Sequence, residues 1–184
     1  SSTEYAVGSK IGFDATKKPP ALVEKDSPED VGKVDREKLV SMSDVIGIND
    51  TLLKEEINVV VVAIRKTDKG DTRSLAKKLI DNEIIRKVKF VVLVDEFVNP
   101  EQLSTVVWLG ANNIEPHRDC FFVDQGGEPY PCLFIDATRK TEQLDGFKRD
   151  WPNVIVMDNE TIKTIDEKWT GLGLGPFIHS PSIQ

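Results

Sequence analysis

Four apolar stretches of the 184-residue chain end on a carboxylate: Val94 runs into Asp95-Glu96, Val123 into Asp124, Ile135 into Asp136 and Met157 into Asp158. In an open α/β sheet, ligands bind outside the carboxyl ends of parallel strands, so acids gathered there could hold a divalent cation. Asp also opens turns and caps helices without any ligand, and no tightly spaced second acidic motif accompanies these four, so the turn reading weighs more. His117 and His179 are far apart and have no cysteine or second histidine at ligand spacing, so no metal ligands are assigned. Arg118 could lower the thiol pKa of Cys120, but the start of an apolar run suits a core thiol better than a nucleophile. Gly171, Gly173 and Gly175 form a GLGLG string that looks like a phosphate loop, yet it follows a helix instead of joining a strand to one, so it reads as a helix exit. The segment Arg65-Lys66-Thr67-Asp68-Lys69-Gly70-Asp71 follows a strand and opens a helix, where cations could receive a phosphate. Asp68 and Asp71 partly cancel that field, so the solvated-loop reading weighs more.

The elements that would carry these residues alternate between short β-branched runs and longer amphipathic segments, which is the pattern of α/β architecture. Ile57–Ile64 is almost wholly Val and Ile, as expected of a strand covered on both faces. Asp71 or Thr72 caps a helix that buries Leu75, Ala76, Leu79, Ile80 and Ile84, and Lys89–Val94 is a second buried strand. Asn99, Pro100 and Gln102 stand where an N-cap, a first helical position and a capping-box side chain belong. The helix they open buries Leu103, Val106, Val107, Gly110 and Ala111, with Gly110 allowing close approach. Phe121–Val123 and Leu133–Ile135 are strands parted by a Gly-Pro turn, and Val154–Met157 is a fifth. A last helix from Asn159 buries Ile162, Ile165 and Trp169, and Gly171 sits at its left-handed exit. The expected fold is a three-layer α/β/α domain with a largely parallel or mixed sheet. It spans residues 56–184, including a C-terminal tail, and is preceded by an irregular arm over 1–55 in which only Asp35–Ser43 suggests a short helix.

Composition narrows the function classes. The chain carries 24 basic and 31 acidic residues, and the resulting charge of −7 repels a polyanion, so neither nucleic acid nor anionic lipid is expected as the main partner. No apolar run approaches the roughly 20 residues of a membrane helix. Two cysteines, Cys120 and Cys132, with no signal peptide, fit thiols in a reducing cytoplasm.

One short string occurs twice: IGFDATKK at 11–18 and LFIDATRK at 133–140. Around the second copy the sequence resembles the C-terminal domain of UbiD-type decarboxylases, which include the 3-octaprenyl-4-hydroxybenzoate carboxy-lyase of ubiquinone biosynthesis and related menaquinone-pathway enzymes. The resemblance covers Ile57 to Leu174. It is carried by KFVVLVDEFVNPEQLSTVVWLGANNIEPHRD at 89–119, DATRK at 136–140, RDWP at 149–152 and TIKTIDEKW at 161–169, in the family's order. Residues 8–18, GSKIGFDATKK, are similar to the family's Gly-Ser-Lys segment, which suggests that the chain opens near the end of a first copy of a duplicated region.

The resemblance implies a parent enzyme that removes carbon dioxide from an aromatic or α,β-unsaturated acid with prenylated FMN and a divalent metal, typically manganese. Its acid–base residues lie in a preceding split-barrel domain for which 184 residues leave no room, so no catalytic residue is assigned here and the chain alone is expected to be inactive and to hold no cofactor. After the strand matching Val59–Ile64, relatives tend to carry basic residues and then Gly-His-Ala. This chain has Arg65-Lys66 and then Gly70-Asp71-Thr72, which leaves Arg65 and Lys66 as the residues on the cofactor-phosphate side. The resemblance further implies the split-barrel domain as a partner and a homo-oligomer formed through the C-terminal helix and tail. The missing Gly-His-Ala keeps open an alternative: a noncatalytic structural or interaction module derived from the same domain.

Overall fold

The computed structural model describes residues 32–128, 130–148 and 157–178. The chain divides into two units, residues 1–148 and 149–184.

In the first unit, β1 (Lys33–Val34), α1 (Arg36–Val40), β2 (Val45–Asn49), α2 (Thr51–Lys54) and β3 (Val59–Ile64) precede α3 (Asp71–Asp81). Then come β4 (Ile85–Arg86), β5 (Phe90–Asp95), α4 (Leu103–Asn113), α5 (Pro116–Asp119), β6 (Cys120–Val123), β7 (Cys132–Asp136) and α6 (Glu142–Asp145). The main sheet has the order β2-β3-β5-β7-β6, with β1 and β4 forming a separate pair. β3, β5 and β7 are parallel and central, whereas β2 and β6 are antiparallel edges.

The three layers follow from alternation along the strands. Val60, Val62 and Ile64 of β3, Val91 and Leu93 of β5 and Phe134 of β7 share one buried cluster with Leu39 of α1 and Leu75, Ala76 and Leu79 of α3. Val61, Ala63 and Val94, at the alternate positions, are buried outside that cluster, as are Val106 and Leu109 of α4. On this second face Asn113 donates to the Ala137 carbonyl (2.9 Å) and Gly110 lies beside Ala137. A Cβ at Gly110 would stop 3.7 Å from Ala137 Cβ, an ordinary contact, so close approach does not demand a glycine there.

Several local expectations shift. Val45–Asn49, read as irregular, is an edge strand. Its residues alternate poorly, but the ladder to β3 satisfies its backbone. The short helix is Arg36–Val40, capped by Asp35, which accepts from Lys38 N at 3.1 Å. α4 starts at Leu103, because the Asn99 side chain closes a turn on Glu101 N (3.0 Å) and Gln102 caps nothing with its side chain. α3 begins after Gly70 at φ 76°, and the Asp71 carboxylate turns back to accept from Thr67 N (2.5 Å) and Asp68 N (2.7 Å). Ile84 lies beyond that helix, buried before β4.

The second unit contains α7 (Asn159–Lys168) and a 3-10 turn, Trp169–Leu172. The turn carries the chain past Gly171, so the left-handed exit falls on Gly173 (φ 66°). Trp169 Nε1 donates to the carbonyls of Gly175 (3.1 Å) and Pro176 (3.2 Å), and its ring meets Phe177 edge-on. Ile165 is 43% exposed, Ile162 and Trp169 are partly buried, and none of the residues of α7 is fully buried as the sequence had suggested. The expected strand at Val154–Met157, the first DAT copy and His179 lie outside the described residues, Met157 apart.

Candidate functional site

The sheet order sets the exits of β3, β5 and β7 side by side, and with them the loops beginning at Arg65, Glu96 and Ala137. Two of the four strand-end acids meet here, Asp95 and Asp136. Asp124 is at the opposite end of the sheet because β6 runs antiparallel. Asp158 belongs to the other unit and caps α7. Hydrogen bonds from Thr161 N and Thr161 Oγ1, both 2.8 Å, hold its carboxyl below the usual carboxylate value. Among the described residues no three His, Cys, Asp or Glu side chains converge as a metal ion requires.

The two acids that do meet are held by the protein itself. Asp136 Oδ1 accepts from Thr138 Oγ1 (2.5 Å) and Thr138 N (3.1 Å) and lies 3.1 Å from Lys140 Nζ. The Lys140 side chain is 3% exposed. Its ammonium also donates to the carbonyls of Asp136 (2.9 Å) and Thr138 (2.8 Å) and stands 3.6 Å from Asp119 Oδ1. Asp119 in turn is chelated by Arg118, whose Nε and Nη2 each lie 2.7 Å from a carboxylate oxygen. Burial alone would raise the Asp136 carboxyl, but the Lys140 charge and the Thr138 hydroxyl, with Lys66 further off, outweigh it and hold the group below the ordinary value. The DATRK string is thus a closed ionic knot that seals the exit of β7. Asp95 differs: burial raises its carboxyl above the usual value, against the hydrogen bond from Arg139 N (2.9 Å) and the Lys66 and Lys140 charges.

The two candidate phosphate-side cations separate. Lys66 Nζ donates to the Arg139 carbonyl (2.9 Å) and to both oxygens of Asp145 (3.0 Å each), and its side chain is 7% exposed. All three N–H groups of the ammonium therefore have internal acceptors. Arg65 lies outward, 53% exposed, with Nε 2.6 Å from Glu96 Oε2. An exposed pair of this kind exchanges partners at little cost. Arg139, on the loop leaving β7, places its guanidinium 5.5 Å from the Phe97 ring centroid.

The other candidates have plain structural roles. His117 is exposed on α5, and Glu115 caps that turn by accepting from His117 N and Arg118 N. The Cys120 thiol is pushed up by burial first and by the Asp119 and Glu115 charges next, so Arg118 does not activate it. Burial pushes Cys132 up to about 12. Sequence reasoning missed Asp119, Arg139, Lys140 and Asp145, which converge only through topology. The one available signal was the recurrence of DAT with two basic residues.

A family model for the C-terminal domain of 3-octaprenyl-4-hydroxybenzoate carboxy-lyase matches residues 37–130. A protein of Aquifex aeolicus is 31% identical over 131 residues, covering 64% of this chain and 26% of the relative. A protein of Helicobacter pylori strain 26695 is 31% identical over 173 residues, covering 91% of this chain and 25% of the relative. The chain thus spans about a quarter of the length of these relatives. Among solved structures, the vanillic acid decarboxylase of Sedimentibacter hydroxybenzoicus in its closed form superposes with a TM-score of 0.53 at 18% identity, over 76% of this chain and 31% of that one. Its open form gives 0.52 at 19% identity, over 74% and 31%. At such identity the likeness is one of fold.

Proposed function

The chain belongs to the C-terminal domain family of 3-octaprenyl-4-hydroxybenzoate carboxy-lyase, and from this we propose that it is the assembly and cofactor-side domain of a UbiD-like carboxy-lyase that decarboxylates an aromatic or α,β-unsaturated acid of the quinone-precursor type. The observation that carries this reading is the family match over 37–130 in a chain that spans about a quarter of its relatives' length. The acid–base residues belong to a split-barrel domain elsewhere in the longer protein, and this chain by itself turns over nothing. Prenylated FMN supplies the carbon chemistry when bound, and the segment at Arg65-Lys66 lies on the side of its phosphate. Asp95 and Asp136 are engaged by Arg139 N, Lys140 and Thr138, so neither is assigned to the manganese of the longer protein. The place of work is the cytoplasm, in keeping with two thiols and no helix among the described residues long and apolar enough to cross a membrane.

Assembly follows from the second unit. Leu172, Leu174 and Ile178 are exposed beyond α7, and such a string suits burial against a neighbouring subunit. Light scattering of the protein with and without residues 171–184 tests this: dissociation of the oligomer is expected, and an unchanged mass refutes the role of the tail. The enzymatic reading is tested on the longer protein. Removing residues 56–184 from it should abolish carbon dioxide release from aromatic acids, and full activity without them would favour the noncatalytic interaction module.

A further inference from the structure

On the cofactor-side reading just given, one more residue belongs to the phosphate contact, and the two sequence candidates divide into different roles. The exits of β3, β5 and β7 are neighbours, and adjacent strands lie about 4.8 Å apart. β3 and β5 are in register with Ile64 beside Asp95, so Arg65 stands level with Glu96 and pairs with it. From the other flank, Arg139 reaches the next residue of the same loop, with its guanidinium over Phe97. Two guanidinium groups therefore flank the exit of the central strand. Among the described residues neither is held by a buried acid: Arg65 meets the 43% exposed carboxylate of Glu96, and the Arg139 guanidinium packs on an aromatic face.

The backbone of Arg139 is fixed from two sides. Its N–H donates to Asp95 Oδ2 (2.9 Å) and its carbonyl accepts from Lys66 Nζ (2.9 Å). Asp145 holds that ammonium in place with both carboxylate oxygens at 3.0 Å. Lys66 has no N–H left for a ligand, but it sets where Arg139 stands.

We propose that Arg65 and Arg139 together form a two-guanidinium contact for a phosphate monoester at the carboxyl end of the sheet, with Lys66 as the residue that positions Arg139. Planar guanidinium groups suit this ligand because each offers two parallel N–H donors to phosphate oxygens. Glu96 is the carboxylate that phosphate must displace from Arg65. Arg65 is exposed and Arg139 partly buried at this rim, so the contact is read by titration.

The experiment follows the Arg Nε–Hε resonances of the ¹⁵N-labelled chain while FMN, riboflavin or inorganic phosphate is added. FMN and phosphate should both shift Arg65 and Arg139, and riboflavin neither. A response to FMN alone would show that the ring is needed and point to the flavin as the source of the phosphate. Arg65→Gln and Arg139→Gln should each weaken binding by roughly tenfold, and Glu96→Gln should strengthen it. Lys66→Met should match Arg139→Gln, and the two together should lose no more than either alone, whereas Lys66→Met with Arg65→Gln should lose the product of both effects. A merely structural lysine would not give that pattern. If FMN and phosphate leave both resonances unmoved, the cofactor-side reading of this rim fails and the pair fails with it. If binding depends on Arg65 while Arg139→Gln changes nothing, the pair alone is overturned. A Lys66→Met loss that multiplies with that of Arg139→Gln refutes the positioning role, and should Lys66→Met not fold, the Arg139→Gln and Arg65→Gln results still decide the pair.

Discussion

Replacing Lys140 with Met keeps an unbranched side chain, one heavy atom shorter, and removes the charge at the centre of the ionic knot. The ammonium donates to two main-chain carbonyls at 2.8 and 2.9 Å and faces carboxylates of Asp136 and Asp119 that are 6% and 1% exposed. Deleting one partner of a buried pair costs about 3–5 kcal/mol, because the other partner stays buried and charged. Here the low end applies. Arg118 remains on Asp119, Thr138 remains on Asp136, and the Met side chain fills most of the vacated space. The expected loss is about 3 kcal/mol, a large part of the roughly 5–15 kcal/mol by which domains are stable. Urea denaturation reads it as a fall in midpoint at constant slope. Adding Asp136→Asn to Lys140→Met should recover part of the loss by removing the stranded charge. The pH dependence carries a sign. Asp136 has its folded pKa depressed, so its stabilisation is present above the ordinary carboxylate range, near 3.9, and is lost as pH falls through the lower folded value. Without Lys140 that acid-side loss should shrink. A loss in Lys140→Met below about 1 kcal/mol, the scale of an exposed ion pair, would refute the reading of DATRK as a sealed structural knot.

Other consequences follow from single contacts. Asp95 is the reverse case: its folded pKa is raised, so ionisation costs stability once pH rises through that value. Asp95→Asn, which keeps an acceptor for Arg139 N, should be at least as stable as the parent at pH 7, and the difference should close toward pH 3. A destabilised Asp95→Asn in neutral-pH thermal melts would contradict this. Cys132, with its thiol pushed up to about 12, should resist iodoacetamide at pH 8 until the chain is unfolded, as mass spectrometry of the alkylated peptide would show. At Gly32 a Cβ would fall 2.6 Å from Asn58 Oδ1 and 2.8 Å from Val88 Cγ2, so Gly32→Ala should cost about 1–3 kcal/mol in the same urea assay.

The sequence made the central strands legible because β3 and β5 are buried on both faces and so are nearly continuous runs of Val, Ile and Leu. α3 was legible for the opposite reason, its apolar residues falling on one side. β2 was not, because Gly47 interrupts it, Ile46 is exposed, and what makes it a strand is a ladder to β3. The rim was half legible. A basic pair after a strand pointed to Arg65 and Lys66, but only the partly buried Asp145, far along the chain, shows that one of the two faces inward. Arg139 and Lys140 are adjacent and chemically alike, yet one packs on Phe97 at the rim and the other is sealed below it. That difference arises from the turn after β7, where Thr138 and Asp136 fold back on one another.

We propose that the decarboxylation chemistry of the longer protein lies outside these 184 residues. It is tested most directly by measuring carbon dioxide release from aromatic and α,β-unsaturated acids by the purified chain supplied with prenylated FMN and manganese. No release above the cofactor-only control is expected. Turnover that depends on the chain would contradict it.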